Sequence, residues 1–250
     1  MAYLAKHGHA QERKTHAAAR VNVAPTSFDQ ADLRERPRYT TQELARAVDV
    51  PPSTVGAWVR GYPYGVKRGG GRFEPVIKRP DPDDSRLSFN NLIEISVLRA
   101  LRTTHEVELR YIRQALHIAE KEHSIQRLLM SPELLAGAGE MFLKQYGKLL
   151  ELSPSKQLAM ETIVEQFLDR VNFHEGQFFP IERSPAGKGH RLILVTPFVS
   201  FGRPIITRVG VSTQVVAERL NAGEKRETIV RDYDLNESEF DEALLYEAAA

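Results

Sequence analysis

Apolar residues recur three or four positions apart in two short segments after residue 40, and this spacing predicts two amphipathic helices. The first helix is expected to begin at Thr41, because Thr40 and Glu43 have the spacing of a capping box. It ends at the break over residues 49–51, and Pro52 suits the first turn of the next helix. The positions expected to face inward are Leu44, Val48, Val55, Trp58 and Val59. Two short helices joined by a tight turn indicate a helix-turn-helix.

The segment after the second helix predicts a wing followed by two longer helices. Residues 62–80 are rich in Gly and Pro. The residues expected in short strands there are Phe73, Val76 and Ile77. Helical spacing of apolar residues then predicts helices over about 88–102 and 109–122, which we expect to pack under the helix-turn-helix.

The rest of the chain predicts a mixed middle module and a C-terminal group of three helices. Residues 141–152 suggest a hairpin, and Ser153 and Pro154 suggest the start of a helix that reaches about Val171. Strand-like runs follow at Val171–His174, Gln177–Ile181, Arg191–Val195 and Ile205–Val209. Ser212 is expected to cap the first C-terminal helix and Gly223 to end it. The other two helices are expected over about 225–232 and 236–247.

These elements predict an α+β fold that is mainly α. We expect a flexible arm over residues 1–37 and a winged helix-turn-helix domain over 38–125. A small α+β module is expected over 126–196, followed by a three-helix, homeodomain-like module over 197–250.

Bulk composition excludes several classes of protein. The 250-residue chain has no cysteine, which rules out a disulfide framework and thiolate metal sites. No apolar run approaches the ~20 residues that span a bilayer, and the N-terminus lacks the apolar core of a secretory signal. We therefore expect a soluble, cytoplasmic protein.

Charge is distributed unevenly although the chain carries a formal net charge of only +1. Residues 38–80 hold eight basic and three acidic side chains, whereas residues 211–247 hold four basic and ten acidic ones. The N-terminal part therefore suits a polyanion, and the C-terminal part repels one. The acidic C-terminal helix indicates a protein-binding surface or a dimer contact, or else a plain solvated face.

The basic segment supplies the candidate contacts to double-stranded DNA. The second helix is expected to leave Ser53, Thr54, Gly56, Ala57 and Arg60 on its outer face. The candidate DNA-binding residues, chosen for base-edge, phosphate or sugar contacts, are Ser53, Thr54, Arg60, Tyr62, Tyr64, Lys67, Arg68, Arg72, Lys78 and Arg79. A solvated basic loop on a generic helical domain is the alternative.

Patterns for catalysis, metals or cofactors are weak. Asp81, Asp83 and Asp84 could hold a divalent metal, but a turn explains a Pro/Asp cluster more simply. His117 and His123 are six residues apart and face different sides of a helix. The chain has no Walker loop, zinc-protease helix or nucleophile elbow. We expect no metal site, no cofactor and no enzymatic activity.

Two families resemble parts of this chain. The N-terminal part resembles a MerR-type winged helix-turn-helix, and the matching residues are Tyr39, Thr40, Glu43, Val50, Thr54, Val55, Trp58, Leu92, Ile112 and Arg113. The C-terminal part resembles the domain of unknown function four-thirty-three, and the matching residues are Phe201–Ile205, Thr207–Val209, Val211, Ser212, Gly223, Glu224, Ile229, Asp232, Tyr233, Leu235 and Ala243. Their order, with an α+β module between them, resembles large VapB-like antitoxins.

That resemblance implies an antitoxin of a type II toxin–antitoxin pair. It would repress its own promoter, as a homodimer or a toxin–antitoxin hetero-oligomer, and neutralise a PIN-like ribonuclease toxin. Arginine or lysine inserted among the toxin's metal-binding carboxylates would block the toxin. The candidate toxin-binding residues are Arg203 and Arg208, then Arg183, Lys188 and Arg191. The alternative is a MerR-like regulator without a toxin, whose middle module senses a small molecule.

Overall fold

The computed structural model of the protein describes residues 30–63, 70–103, 108–122, 124, 126–130, 170–172, 175–185 and 189–249. Within these ranges the fold is mixed α+β and mainly helical, with small antiparallel sheets, as predicted. The hairpin expected over 141–152 and the helix expected after Ser153 lie outside the described residues. None of the described helices is both long and apolar enough to cross a membrane.

The helices are α1 (Gln30–Glu35), α2 (Thr41–Val48), α3 (Pro52–Arg60), α4 (Phe89–Thr103), α5 (Leu109–Glu122), α6 (Thr213–Asn221), α7 (Arg226–Asp232) and α8 (Glu237–Ala248). Short 3-10 helices span Leu128–Met130 and Ser200–Gly202. The antiparallel strand pairs are β1 (Tyr62–Pro63) with β2 (Arg72–Phe73), β3 (Val171–Asn172) with β4 (Gln177–Phe178), and β5 (Ile193–Leu194) with β6 (Ile205–Ile206).

The predicted start of the helix-turn-helix is confirmed. The hydroxyl of Thr40 accepts a hydrogen bond from the backbone N–H of Glu43 at 3.1 Å, and the Glu43 carboxylate accepts from the Thr40 backbone N–H at 2.7 Å. This reciprocal pair satisfies two donors that the first turn of α2 leaves without helical partners. Helix α2 ends at Val48, and the C-cap residue Asp49 has a left-handed backbone with φ 55°. That turn directs the chain into α3.

The first core packs around α2, α3, α4 and α5. Its fully buried side chains include Val55, Leu87, Leu92, Ile93, Ile95 and Leu98. Val171, Phe178 and Val195 belong to the same core, so strands expected in a separate middle module pack against the helix-turn-helix. The first core therefore draws on more of the chain than residues 38–125.

A second core lies between the β5–β6 sheet and helices α6–α8. Its members include Ile193, Ile206, Val216, Ile229, Phe240 and Ala243. Phe178 and Val195 exchange two backbone hydrogen bonds, at 2.9 and 2.8 Å. This bridge lies next to β5 and places the second core beside the first.

Residues 30–37 differ from the expected flexible arm. They include α1, where Glu35 accepts a hydrogen bond from Asn90 at 2.6 Å and forms an ion pair with Arg127. The guanidinium of Arg34 lies 5.6 Å from the centre of the Phe198 ring. The polar composition of this segment suggested an arm, but its polar groups find partners on distant parts of the chain.

Three local predictions need correction. Val76 and Ile77 are not in a strand, since both backbone N–H groups donate to the Trp58 carbonyl, at 2.8 and 3.1 Å. Gly56 is buried rather than outward-facing. Ser212 occupies the N-cap position of α6, but its buried hydroxyl makes no hydrogen bond to the described residues. Gly223 follows the end of α6 with φ 88°, as expected for a glycine that terminates a helix.

Candidate nucleic-acid interface and C-terminal surface

The first turn of α3 is the part of the helix-turn-helix that meets solvent. Ser53 is exposed and Thr54 is half-buried, while Val55, Trp58 and Val59 are buried on the opposite side. Burial of the apolar residues fixes the rotation of the helix about its axis. The hydroxyls of Ser53 and Thr54 can therefore reach a base edge or a phosphate that approaches this face.

The end of α3 brings a cation and the wing together. The Arg60 side chain folds over Gly56, where an added Cβ would lie 2.3 Å from a guanidinium nitrogen. Gly61 has φ 69°, and a Cβ there would lie 2.0 Å from the carbonyl oxygen of Phe73. Glycine at position 61 thus allows β2 to approach the end of the helix. Arg72 donates to the carbonyl of Arg60, so both arginines lie on this exposed edge.

Arg113 holds the wing against α5. The rings of Tyr62 and Phe73 pack with centroids 4.9 Å apart. The Arg113 guanidinium lies 4.9 Å from the Phe73 ring centre and 5.7 Å from that of Tyr62. Its Nε also donates to the carbonyl of Glu74 at 3.2 Å. Cation–π contacts of this kind orient aromatic side chains, so Arg113 fixes the β1–β2 base of the wing against α5.

Sequence reasoning gave Arg113 no role at the wing. The residue follows the buried Ile112 in α5, and nothing in the local pattern shows that β2 lies 4.9 Å from it. The one sequence signal was its place among the residues that resemble a winged helix-turn-helix.

The remaining candidate DNA contacts divide into three groups. Lys78 pairs with Glu120 at 2.8 Å, but its side chain is 72% exposed and so can still reach a phosphate. This hydrogen bond lowers the pKa of Glu120 below its ordinary value. Arg79 is half-buried and donates to the carbonyl of Asp84 at 2.9 Å. Tyr64, Lys67 and Arg68 lie outside the described residues.

The Pro/Asp cluster is a turn held by its own hydrogen bonds. The Asp81 carboxylate accepts from the backbone N–H of Asp83 at 2.8 Å, and Asp84 pairs with Arg86 at 2.6 Å. Across the described ranges, no group of three or more His, Asp or Glu side chains is arranged to hold a metal ion.

Arg208 is engaged inside the C-terminal unit. Its guanidinium donates to both carboxylate oxygens of Glu239, each at 2.9 Å, and pairs with Asp234 at 3.0 Å. Glu239 is only 2% exposed. The hydrogen bonds to Glu239, then those to Asp234, raise the pKa of Arg208 above its ordinary value. This geometry favours a structural role for Arg208 over contact with another protein.

Arg183 joins the C-terminal unit to the helix-turn-helix. Its side chain donates to the carbonyl of Arg46 at 2.8 Å and pairs with Asp49 at 3.3 Å. Its backbone N–H donates to Glu242, a buried carboxylate of α8, at 2.8 Å. Arg46 in turn pairs with Glu247. These contacts connect the two ends of the protein.

The other candidate toxin contacts are placed differently. The Arg191 guanidinium lies 5.0 Å from the centre of the Phe179 ring, and Lys188 lies outside the described residues. Arg203 is exposed, and its side chain makes no hydrogen bond or ion pair to any described residue. Among the described candidates, Arg203 is therefore the one best placed to meet a partner.

The acids of α8 are neutralised within the protein to a greater extent than the sequence suggested. Glu239 and Glu242 are buried and hydrogen-bonded, and Glu247 accepts from Thr213 at 2.5 Å. Glu237 and Asp241 both pair with Arg226 of α7. The net negative charge of this segment therefore does not create a continuous unpaired acidic face on α8.

Comparison with known proteins finds two family matches within the chain. Residues 37–116 match a family described as "Putative DNA-binding HTH domain", and residues 193–246 match "Protein of unknown function (DUF433)". The Mycobacterium tuberculosis protein named "Putative antitoxin VapB45" is 26% identical over 226 residues, which cover 83% of this chain and 92% of that protein. The "Uncharacterized protein Rv2308" of the same organism is 21% identical over 86% of this chain and 91% of that protein.

A solved structure has the same fold. The crystal structure of Rv2018 from Mycobacterium tuberculosis superposes with a TM-score of 0.59 and 21% sequence identity, over 84% of this chain and 98% of that chain. The MerR-like and homeodomain-like assignments of the two modules stay predictions. The chain thus carries a match to a helix-turn-helix DNA-binding domain followed by a DUF433 match, and it is distantly similar to a protein named as an antitoxin.

Proposed function

We propose that this protein is a DNA-binding antitoxin that represses its own promoter and neutralises a PIN-like ribonuclease toxin. The observation that carries the DNA-binding part is the juxtaposition at one exposed edge of the first turn of α3, the cations Arg60 and Arg72, and a wing held by Arg113. That edge lies within the segment that matches a DNA-binding helix-turn-helix domain. The similarity to a protein named as an antitoxin supports the toxin-binding part.

The helix-turn-helix sets the expected mode of DNA binding. Ser53 and Thr54 would approach the major groove, while Arg60 and the basic residues of the wing neutralise phosphates on either side. A dimer on a palindromic operator is the arrangement that helix-turn-helix repressors generally use. Residues 211–247 carry four basic and ten acidic side chains, and this net negative charge is unsuited to phosphates, which favours a protein partner for the C-terminal half.

Fluorescence anisotropy with DNA from upstream of the gene tests promoter binding. The triple variant Lys67→Ala, Arg68→Ala and Arg72→Ala should bind more weakly. The negative slope of log K against log salt concentration should become shallower by about 0.9 for each phosphate that the variant no longer neutralises. The matched control is Arg231→Ala on α7, whose side chain is 76% exposed. An unchanged slope in the triple variant would refute the assignment of the wing to DNA.

Co-expression tests whether this chain neutralises a toxin. The product of the neighbouring reading frame should arrest growth when expressed alone and should be harmless when this chain is expressed with it. A ribonuclease assay with the purified pair then measures neutralisation directly. A neighbouring product that is harmless alone would remove the support for an antitoxin, although promoter binding could still hold.

A further inference from the structure

A positively charged cleft of about 690 Å³ lies between the helix-turn-helix and the C-terminal unit. One wall is formed by α2 and the residues before it, and the other by the 201–204 turn and the end of α8. Five arginines line the cleft but only two glutamates, Glu43 and Glu247. Its charge therefore suits an acidic occupant.

An aromatic side chain projects from the wall of this cleft into solvent. Phe201 is 89% exposed, the highest value among the large hydrophobic side chains of the described residues. Ser200, Phe201 and Gly202 are all left-handed, with φ of 49°, 55° and 82°. That backbone conformation is unfavourable for residues with a Cβ, and such strain persists where the surrounding structure imposes it.

Tyr39 explains how the turn is held. A Cβ on Gly202 would lie 2.4 Å from the Tyr39 hydroxyl oxygen, so glycine allows the turn to pack on the helix-turn-helix. The backbone N–H groups of Gly202 and Arg203 donate to Val199 and Ser200, at 2.9 and 3.0 Å. The structure thus keeps the Phe201 ring exposed to solvent, although burial of an aromatic ring is energetically favourable.

Unpartnered polar atoms also lie in the cleft lining. The Tyr39 hydroxyl and the Nε of Arg46 are buried and make no hydrogen bond to the described residues. Tyr39 as a whole is 6% exposed. Buried donors without partners are uncommon in folded proteins, so this part of the cleft lining lacks an acceptor that a bound partner could supply.

We propose that Phe201 and Arg203 anchor a docking surface for a segment of a partner protein that carries an apolar side chain flanked by carboxylates. The proposal rests on the proposed function, because the partner would be the toxin. The segment would cover the Phe201 ring and place its carboxylates against Arg203 and the other cleft arginines. Aromatic and arginine side chains at the centre of an interface contribute much of its affinity.

A protein segment accounts for these features better than a small anion does. Phe201 lines the cleft but projects into solvent, so a chain crossing the cleft mouth can cover more of the ring than a small ligand held inside the cleft, and can contact the arginines as well.

Site-specific crosslinking in the cells that produce the protein tests the surface. The full-length chain would carry benzoylphenylalanine in place of Phe201, or in place of Leu245 as a control, since Leu245 is also an exposed large hydrophobic residue, at 42%. The expected result is a crosslink at position 201 to the toxin encoded next to this chain, mapped to a segment with carboxylates beside an apolar residue. A crosslink to a different protein, to a second copy of this chain, to DNA, or to no macromolecule would overturn the proposal.

The partner identified by crosslinking is then purified, and its affinity for variants of this chain measures the contribution of each residue. Phe201→Ala and Arg203→Glu should each weaken binding at least tenfold, and Leu245→Ala should change it less than about threefold. All three variants should retain the wild-type melting temperature and promoter affinity. If the neighbouring toxin is still neutralised by both docking variants, this surface is wrong while the proposed function stands; if no toxin exists, both fail.

Discussion

Replacing Arg208 by Met tests whether this residue stabilises the C-terminal unit or instead serves to bind a partner protein. Methionine keeps most of the apolar stem of arginine but is shorter and removes its charge and donors. Glu239 then keeps one hydrogen bond, from the backbone N–H of Asn236 at 2.9 Å, and loses both bonds from the guanidinium. The variant therefore leaves a nearly buried carboxylate without its counter-charge.

The expected loss of stability comes almost entirely from Glu239. Asp234 has a side chain that is 92% exposed, so its pair with Arg208 contributes little. Removing one partner of a buried ion pair typically costs about 3–5 kcal/mol. Because Arg208 is itself 37% exposed and Asn236 still donates to Glu239, we expect about 2–3 kcal/mol in the free energy of unfolding. For a chain of this size that corresponds to a melting temperature lower by about 4–12 °C.

Thermal denaturation followed by circular dichroism measures the effect. Arg203→Met is the matched control, because Arg203 is exposed, and it should change the stability by less than about 0.5 kcal/mol. Adding Glu239→Gln to Arg208→Met should restore part of the loss, since glutamine is neutral and can still accept from Asn236. If Arg208→Met melts within about 1 °C of wild type, the ion pair contributes nothing and the structural role of Arg208 is refuted.

Three further substitutions test the contacts between elements. Arg113→Met should weaken promoter binding about three- to tenfold without changing the fold, because the wing loses its cation–π interactions; an unchanged Kd would show that α5 does not position the wing. Gly202→Ala should destabilise the protein by about 2 kcal/mol. Adding Tyr39→Phe should recover part of this loss, because it removes the hydroxyl that the new methyl group contacts. If stability does not recover, the whole loss comes from the left-handed backbone at position 202. Arg46→Met should break the pair with Glu247 and accelerate hydrogen exchange at the end of α8; exchange equal to that of wild type would contradict a connecting role for this pair.

Local patterns in the sequence predicted helices α2 to α8, although not α1, because helix ends and periodicity depend on nearby residues. The predicted capping box of α2 is present, and α8 begins with a second one, formed by Asn236 and Glu239. Helix α5 spans Leu109–Glu122, the range that its apolar spacing predicted. The strand pairs were predicted less well, since Val76 and Ile77 are buried by contact with Trp58 rather than by pairing in a strand.

The sequence by itself determined the position of the helix-turn-helix and the separation of basic and acidic charge along the chain. The tertiary structure alone decided which charges are available to partners. Arg208 and Glu239 are 31 residues apart, and Arg46 and Glu247 are 201 apart, so no local pattern reveals either pair. Folding of α8 onto α6 and α7, together with the Arg46–Glu247 pair to α2, buries or pairs acidic side chains that the sequence shows only as an excess of charge, whereas Phe201 and Arg203 stay in solvent. An ion pair depends on distance in space, which folding sets and spacing along the chain does not.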